Sequence, residues 1–219
     1  MAPRHPDTVA NRMLPRLYLV TPQIDDAAGL ARALDSVLPV ADIAAVLLRL
    51  AAAGERELIN RVKAIAPAAQ DRGVALLLDG HADIVARAGA DGAHLTGIAA
   101  VRDGIAALRP DRIAGAGGLA TRHDAMLAGE AGADYVMFGE PDTTGHRPSF
   151  EAVLERVAWW AEVFQPPCIG FAGAPDEVAA LAKAGADFVA LGDWVWTTTV
   201  GPAAAVVTAS QLAAGEPVA

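Results

Sequence analysis

The sequence lacks most of what a disulfide-stabilised or membrane-spanning protein needs. Its 219 residues include one cysteine, Cys168, so an intramolecular disulfide and a cysteine-based metal cluster are excluded. We interpret Cys168 as a small buried residue of a strand, with a nucleophile as the alternative. No segment approaches the roughly 20 uninterrupted apolar residues of a membrane span, and residues 1–15 carry no apolar run of signal-peptide length. A cytoplasmic protein without a membrane partner is therefore predicted.

Basic residues are also scarce. The chain has 17 lysines and arginines against 26 aspartates and glutamates, which gives a formal net charge of −9. Non-specific nucleic-acid binding requires a basic face, so no nucleic-acid partner is expected. A phosphorylated small-molecule ligand remains compatible with this charge, because backbone amides and one or two arginines suffice to bind a phosphate.

The sequence Ala-Gly-Ala-Asp occurs three times, at residues 88–91, 131–134 and 184–187. Each copy follows an amphipathic stretch and precedes an apolar run. This is the pattern of a helix that ends at a glycine in the left-handed conformation and is followed by a buried strand. A unit repeated about every 40–50 residues predicts an architecture built from several such units.

Eight apolar runs, each followed by a helix-like stretch, have the character of strands covered on both faces. This alternation predicts an α/β fold, a single-domain TIM (β/α)8 barrel over residues 15–213, with a flexible tail at residues 1–14 and a C-terminal tail at 214–219. A doubly wound sheet is disfavoured, because the turn at residues 21–24 has no glycine for a dinucleotide fingerprint. The predicted strands are 17–21, 43–49, 74–79, 93–96, 112–117, 135–139, 168–172 and 188–191. The predicted helices are 26–37, 55–71, 82–88, 99–108, 121–131, 149–164, 175–184 and 202–212.

Glycines follow the last two predicted strands. In a barrel of this kind, functional groups lie at the carboxyl ends of the strands. Gly173 and Gly192 lie at these ends, where backbone amides and a helix N-terminus are able to bind a phosphate. Small residues that merely allow tight turns are the alternative. Because both loops show the pattern, we predict phosphate binding at Gly173 and Gly192.

Charged residues at the same edge supply further candidates. Arg49 closes an apolar strand, and the sequence leaves open whether it is a rim residue or an anion clamp. In the long loop 140–148, Arg147 lies close to Thr144 and His146, which predicts a phosphate or diphosphate contact.

Two further histidines have different interpretations. His81 and the neighbouring Asp79, after the third predicted strand, are candidates for a general acid/base pair, with helix capping as the alternative. His94 lies within an apolar strand and is interpreted as a structural histidine. The alanine-rich helices and their tryptophans are compatible with a homodimer.

Four segments resemble thiamine phosphate synthase and its relative, the thiazole tautomerase TenI. The first predicted strand reads Leu17-Tyr18-Leu19-Val20-Thr21, and residues 90–95 and 132–139 are similar to the fourth and sixth strands of that superfamily. Residues 170–173, Gly-Phe-Ala-Gly, resemble its glycine-rich turn after the seventh strand. The resemblance implies a transferase that joins a pyrimidine methyl diphosphate to a thiazole phosphate and expels pyrophosphate with the help of magnesium. It also implies that the diphosphate leaves first and that the thiazole nitrogen attacks a stabilised pyrimidine cation.

The match to that superfamily is uneven at the site. The resemblance implies that three residues of the diphosphate side are retained: Arg49 as the arginine, Thr144 as a threonine and Arg147 as a cation. It also implies that Gly173 is the glycine on which the thiazole phosphate would rest. Asp79 stands at an asparagine, and the aligned serine after the fifth strand is replaced. The two aspartates that hold magnesium in the family fall at glycine and alanine, so Mg²⁺ is implied for a true synthase while both of its carboxylate ligands are absent. The two aspartate positions are Gly80 and Ala99, and the serine position is Gly118.

Three functions follow as hypotheses. The first is a synthase-like transferase, in which Arg49, Thr144 and Arg147 bind the diphosphate and Asp79 replaces a polar contact to the pyrimidine or the metal. The second is a metal-free tautomerase of a phosphorylated heterocycle, with His81 or His146 as the proton shuttle. The third is a catalytically silent barrel that binds a phosphate ester.

Overall fold

A closed barrel of eight parallel strands forms the centre of the computed structural model, which describes residues 14–142 and 144–216. The strands follow one another around the barrel in chain order, and the last strand pairs with the first. The prediction of a TIM barrel is confirmed. The strands are β1 (Arg16–Ile24), β2 (Ile43–Leu50), β3 (Ala75–Asp79), β4 (Gly92–Thr96), β5 (Ile113–Gly117), β6 (Tyr135–Phe138), β7 (Cys168–Ala172) and β8 (Phe188–Leu191).

Helices cover the outside of the barrel between successive strands. They are α1 (Ala27–Val37), α2 (Glu55–Gln70), α3 (Val85–Ala88), α4 (Ile98–Leu108), α5 (Arg122–Ala131), α6 (Phe150–Val163), α7 (Pro175–Ala184), α8 (Trp194–Thr197) and α9 (Pro202–Ala214), with a 3-10 turn at Leu38–Val40. None of the helices in the described ranges is long and apolar enough to cross a membrane. Residues 1–13 of the predicted N-terminal tail and residues 217–219 of the predicted C-terminal tail lie outside the described residues. Ala214, assigned to the C-terminal tail, is the last residue of α9.

Two predicted bounds differ from the structure by three residues. β1 continues to Ile24, because Gln23 pairs with Arg49 and Ile24 with Leu50 beyond a shift in register. Pro22 lies at that shift, and its missing amide hydrogen interrupts the ladder without ending the strand. The predicted helix at 82–88 is helical only from Val85, and residues 82–84 form a turn instead.

The short helix α8 was not predicted from the sequence. It lies across the seam where the barrel closes, and two indole groups attach it there. Trp194 donates its Nε1 hydrogen to the Ala172 carbonyl of β7 at 3.0 Å, and Trp196 donates to the Val20 carbonyl of β1 at 2.7 Å. These two hydrogen bonds hold α8 over the carboxyl ends of β7 and β1.

The repeated Ala-Gly-Ala-Asp sequence joins each helix to the following strand in the same way. Gly89, Gly132 and Gly185 end their helices in the left-handed conformation, with φ of +77°, +98° and +96°. The aspartate two residues later accepts a hydrogen bond from a backbone amide of the preceding strand, at 2.7–2.8 Å in all three copies. The repeat thus fixes the start of β4, β6 and β8 against the neighbouring strand. The three hydrogen bonds are Leu76 to Asp91, Ala114 to Asp134 and Cys168 to Asp187.

The barrel has a core on each side of its sheet. The outer core packs the helices on the strands and includes Trp160 and Cys168, both fully buried. Cys168 therefore lies in β7 as a small buried residue, as expected. A second cluster fills the inside of the barrel with every second residue of the strands, as alternation requires. Its members are Tyr18, Val20, Ala45, Leu47, Leu77, Tyr135, Met137, Ile169, Phe171 and Ala190.

Close strand contact at Gly92 generates a stability prediction. A Cβ atom at Gly92 would lie 2.1 Å from the Ile113 carbonyl oxygen, which belongs to the backbone of the paired strand. Because backbone cannot move aside as a side chain does, we expect Gly92→Ala to lower the free energy of unfolding by about 1–3 kcal/mol. Gly54→Ala is the matched control, since nothing lies within 4 Å of its added Cβ. Equal stability of the two variants in denaturant titrations would contradict the strand packing described here.

Candidate active site

The carboxyl ends of the strands form a mouth whose composition follows from the alternation of side chains. Inside the barrel, Leu47, Leu77 and Phe171 face inward. Residues two positions further along each strand therefore face the mouth. Asp79 is one of them, so the aspartate predicted after β3 faces the barrel axis. The residues that reach the mouth by this register are Arg49, Asp79, Thr96, Gly117, Gly139, Gly173 and Gly192.

A chain of polar contacts leads from the middle of the barrel to the mouth. The hydroxyl groups of Tyr18 and Tyr135 lie 2.9 Å apart, and the Tyr135 hydroxyl lies 3.0 Å from His94 Nδ1. His94 Nε2 lies 3.5 Å from Glu140 Oε1, which accepts a hydrogen bond from the Gly118 amide at 2.5 Å. His94 is 2% exposed, so it is a structural histidine with polar partners. Glu140 was missed as a site residue, because nothing in its sequence position at the start of a long loop marks it as inward-facing.

Burial of this chain changes the acidity of its tyrosines. Desolvation raises the pKa of Tyr18 and of Tyr135 well above the ordinary value of 10.0. The negative charges of Asp79 and Glu140 act in the same direction on both phenols. The contribution of Asp79 agrees with its inward register.

Arg49 lies at the rim between β1, β2 and β8. Its Nε donates to the Thr21 carbonyl, and its Nη2 forms an ion pair with Asp193, the residue that follows Gly192. The Arg49 amide also donates to the Thr21 hydroxyl at 3.1 Å. Arg49 is therefore held over the mouth by β1, and its charge is balanced by a carboxylate of the chain. Its role as an anion clamp stays a prediction.

Arg147 lies beside Gly173 and is bound on three sides. Its Nε donates to the Gly139 carbonyl at 2.7 Å, and Nη2 donates to the Phe171 carbonyl at 3.1 Å. Nη2 also lies 3.0 Å from Glu177 Oε2. Both side chains of this ion pair are shielded, with exposed fractions of 24% for Arg147 and 15% for Glu177. The sequence predicted Arg147 as a phosphate ligand and gave no sign of Glu177, which lies 30 residues away.

The two glycines predicted to hold a phosphate both donate their amides to protein atoms. The Gly173 amide donates to Glu177 Oε2 at 2.6 Å, and the Gly192 amide donates to the Ala172 carbonyl at 3.1 Å. We use the term β7/β8 corner for five residues that come together here. They are Phe171, Gly173, Glu177, Gly192 and Asp193.

The loop after β6 is ordered by one carboxylate. Asp142 Oδ1 accepts hydrogen bonds from the Thr144 hydroxyl at 2.7 Å, the Thr144 amide at 2.8 Å and the His146 amide at 3.0 Å. The Thr144 hydroxyl is the main cause of a lowered pKa for Asp142, followed by the His146 amide. Thr144 and His146 are thus brought together by Asp142. His81, by contrast, is exposed on a turn with φ of +50°.

An open cavity of about 500 Å³ lies at the ends of β4, β5 and β6. Its lining combines apolar side chains with the carboxylates of Glu140 and Asp142, the imidazole of His146 and the guanidinium of Arg156. The cavity is large enough for a small heterocycle. Together with the inward-facing Asp79, these carboxylates make this side of the mouth acidic.

The residues at the mouth do not fit the magnesium site that the resemblance implies. Mg²⁺ binds oxygen ligands, above all carboxylates. Gly80 and Ala99, at the positions where the resemblance places the family's two aspartates, have no side-chain oxygen. In the described part of the chain, no group of three or more histidine, cysteine, aspartate and glutamate side chains could hold a metal ion.

Comparisons with family models, related sequences and solved structures agree on one family. The model of the family described as thiamine monophosphate synthase matches residues 17–195. The thiamine-phosphate synthase of Rhodospirillum centenum is 38% identical over 203 residues, covering 91% of this chain and 98% of the relative. That of Hyphomonas neptunium is 39% identical over 210 residues, covering 91% and 94%. A solved thiamine phosphate pyrophosphorylase from Pyrococcus furiosus has a TM-score of 0.73 at 20% identity, covering 91% of this chain and 96% of its own, and so shares the fold.

The buried tyrosines generate a prediction, because Tyr18 and Tyr135 are the two tyrosines of the chain. In the folded protein, we expect no tyrosinate absorbance as the pH passes 10.0, the ordinary pKa of the phenol. The unfolded chain loses these protons first. The contribution of the two tyrosines to the free energy of unfolding is therefore fully present below pH 10 and is lost as the pH rises toward their raised pKa values in the folded protein. Ultraviolet absorbance and circular dichroism recorded on the same samples should show both changes together. Titration of either tyrosine near pH 10 in a folded sample would contradict the buried chain.

Proposed function

The chain belongs to the thiamine monophosphate synthase family, and we propose from this premise that it is a transferase of thiamine biosynthesis that joins a pyrimidine methyl diphosphate to a thiazole phosphate. The geometric observation that carries the proposal is the distribution of charge around the mouth. The carboxylate of Asp79 faces inward beneath the mouth, and Arg49 lies at the rim. The carboxylate of Glu140 also lies at the mouth, where it contacts His94 and accepts a hydrogen bond from the Gly118 amide.

This distribution suits a reaction through a cation. The bond between the pyrimidine methylene carbon and the diphosphate oxygen breaks, and the oxygen keeps the electron pair. The thiazole nitrogen then forms the new bond to the same carbon. Fixed negative charge beside the pyrimidine stabilises the positive charge that develops on it, because groups already oriented need no reorganisation during the reaction. Asp79 supplies this charge and also accepts a hydrogen bond from the pyrimidine.

The departing diphosphate needs donors, and the rim offers them. In the proposal, Arg49, Thr144 and Arg147 bind the diphosphate, and His81 or His146 donates a proton to it as it leaves. Asp142 brings Thr144 and His146 together, which supports their joint role. The thiazole phosphate lies against the β7/β8 corner, beside Gly173 and Gly192.

We assign no step to magnesium, because the donor set at Gly80 and Ala99 does not fit it. The proposal places the enzyme in the cytoplasm, with the phosphorylated pyrimidine as its small-molecule partner. The homodimer expected from the sequence stays a prediction.

A condensation assay tests the proposed function. Purified protein is given the pyrimidine methyl diphosphate, the thiazole phosphate and Mg²⁺. We expect a condensation product and release of pyrophosphate. Asp79→Ala should lower kcat about a hundredfold, since it removes fixed charge from beside the developing cation. Asp103→Ala, which removes an exposed carboxylate from α4 outside the barrel, is the matched control.

Two results would contradict the proposal. One is no condensation product at enzyme concentrations where an authentic synthase consumes its substrates completely. The other is an equal loss of activity in the Asp79 variant and in its control.

A further inference from the structure

We propose that Glu140 recognises the pyrimidine in this site, by accepting a hydrogen bond from an amino group attached to the ring. The identity of the ligand as a pyrimidine rests on the proposed function. The need for an N–H donor rests on the contacts of the Glu140 carboxylate alone. The nitrogens of an aromatic pyrimidine ring carry lone pairs and no hydrogen, so an amino group outside the ring has to supply the donor.

One oxygen of the Glu140 carboxylate is fixed by the protein. Oε1 accepts a hydrogen bond from the Gly118 amide at 2.5 Å and lies 3.5 Å from His94 Nε2. A Cβ atom at Gly117 would lie 1.9 Å from the same oxygen and 2.3 Å from His94 Nε2, so this glycine leaves room for both groups. The end of β5 therefore holds the carboxylate in one place.

The second oxygen of this carboxylate is available to a ligand. Glu140 Oε2 has no hydrogen-bond partner among residues 14–142 and 144–216. In the same part of the chain, no polar side-chain atom is both fully buried and unpaired. Oε2 is therefore accessible, and it reaches the open cavity at the ends of β4, β5 and β6 that Glu140 lines.

The charge of Glu140 is not balanced by a lysine or an arginine. Its side chain is only 15% exposed, and within the described ranges no such residue forms an ion pair with it. Glu177 and Asp193, by contrast, each pair with an arginine. A shielded carboxylate is unfavourable unless hydrogen-bond donors satisfy it. A ligand that brings an N–H group into the cavity supplies such a donor.

An aminopyrimidine fits both the space and the acceptor. Apolar side chains, among them Leu119 and Met137, line the same cavity of about 500 Å³ and offer a surface for a flat ring. Aspartate and glutamate accept hydrogen bonds from the amino group of cytosine, which is itself an aminopyrimidine. An amino group has two hydrogens, so the contact with Glu140 leaves one for Asp79.

The same contact assists the proposed reaction. A hydrogen bond to a negative oxygen increases the electron density on the amino nitrogen, and the nitrogen shares this density with the ring by conjugation. The positive charge that develops at the methylene carbon as the diphosphate leaves is thereby stabilised. No proton is transferred to Glu140, and no bond to it forms.

Calorimetric titration of the intact protein with two diphosphates, in the absence of a thiazole, tests the contact without condensation. One ligand is the aminopyrimidine methyl diphosphate. The other has an oxo group in place of the amino group, which replaces the donor with an acceptor. We expect the unaltered protein to bind the amino ligand at least about tenfold more tightly than the oxo ligand.

Two substitutions of Glu140 should change this preference in different ways. In Glu140→Gln, the Gly118 amide needs an acceptor and holds the carboxamide oxygen, so the amide nitrogen faces the cavity. A donor there suits the oxo group and opposes the amino group, so we expect the preference for the amino ligand to fall at least about tenfold. Glu140→Ala, which has neither donor nor acceptor, should bind the two ligands with similar affinity. Glu155→Gln is the matched control, because it removes the same charge at an exposed position of α6.

The outcomes separate this inference from the proposed function. Equal or tighter binding of the oxo ligand to the unaltered protein, binding of neither ligand, an unchanged preference in the Glu140 variants, or an equal change in Glu155→Gln would each overturn it. If the preference changes as expected but the condensation assay yields no product, the contact stands and the transferase proposal fails. If product forms and the Glu140 variants keep the preference of the unaltered protein, the transferase stands and the contact is overturned.

Discussion

The pairing of Arg147 with Glu177 is the interaction on which the character of this active site depends. Arg147 extends from the loop after β6 across the end of β7, where it binds the Gly139 and Phe171 carbonyls and the carboxylate of α7. Through Glu177, the same pair engages the Gly173 amide. One ion pair therefore joins two loops, completes the N-terminus of a helix and occupies an anion position. Breaking a shielded pair by removing one partner leaves the other charge uncompensated, so the arrangement favours keeping both residues in place.

The barrel decides which side chains take part in this chemistry. Because alternate residues of a strand face opposite sides of the sheet, the inward register places Asp79 under the mouth, and the next residue, Gly80, is outside this register. The same register places Tyr18 and Tyr135 inside the barrel. Their hydroxyl groups are hydrogen-bonded to each other, and that of Tyr135 is also hydrogen-bonded to His94, near the acidic cavity at the ends of β4, β5 and β6. Acidic groups thus lie on the side proposed for the pyrimidine cation, and the balanced β7/β8 corner lies on the side proposed for the thiazole.

The fold was largely predictable from local signals, because each signal had a local cause. The glycine of each Ala-Gly-Ala-Asp repeat ends a helix and its aspartate binds the neighbouring strand, so the repeats alone indicate β4, β6 and β8. The extension of β1 past Pro22 depends on pairing with β2, and α8 depends on indole hydrogen bonds to distant carbonyls. Neither feature has a signature in its own segment.

The location of these candidate residues at the mouth was predictable from the sequence, and their contacts with each other were not. Arg49 and Asp79 were predicted as site residues because polar residues stand out at the ends of apolar strands, and Arg147 because it lies with Thr144 and His146 in one long loop. Their partners are remote in the chain: Asp193 lies 144 residues from Arg49, and Glu177 resembles an ordinary acidic residue in the first turn of a helix. Whether an arginine is available to a ligand is decided by such contacts, which only the folded arrangement brings together.

The most direct test of the account is a double-mutant cycle in denaturant titrations, with Arg147→Met, Glu177→Gln and the two changes combined. The account predicts that each single change destabilises the protein and that the double variant loses less than the sum of the two, with a coupling free energy of about 1–3 kcal/mol. Strictly additive losses would contradict it.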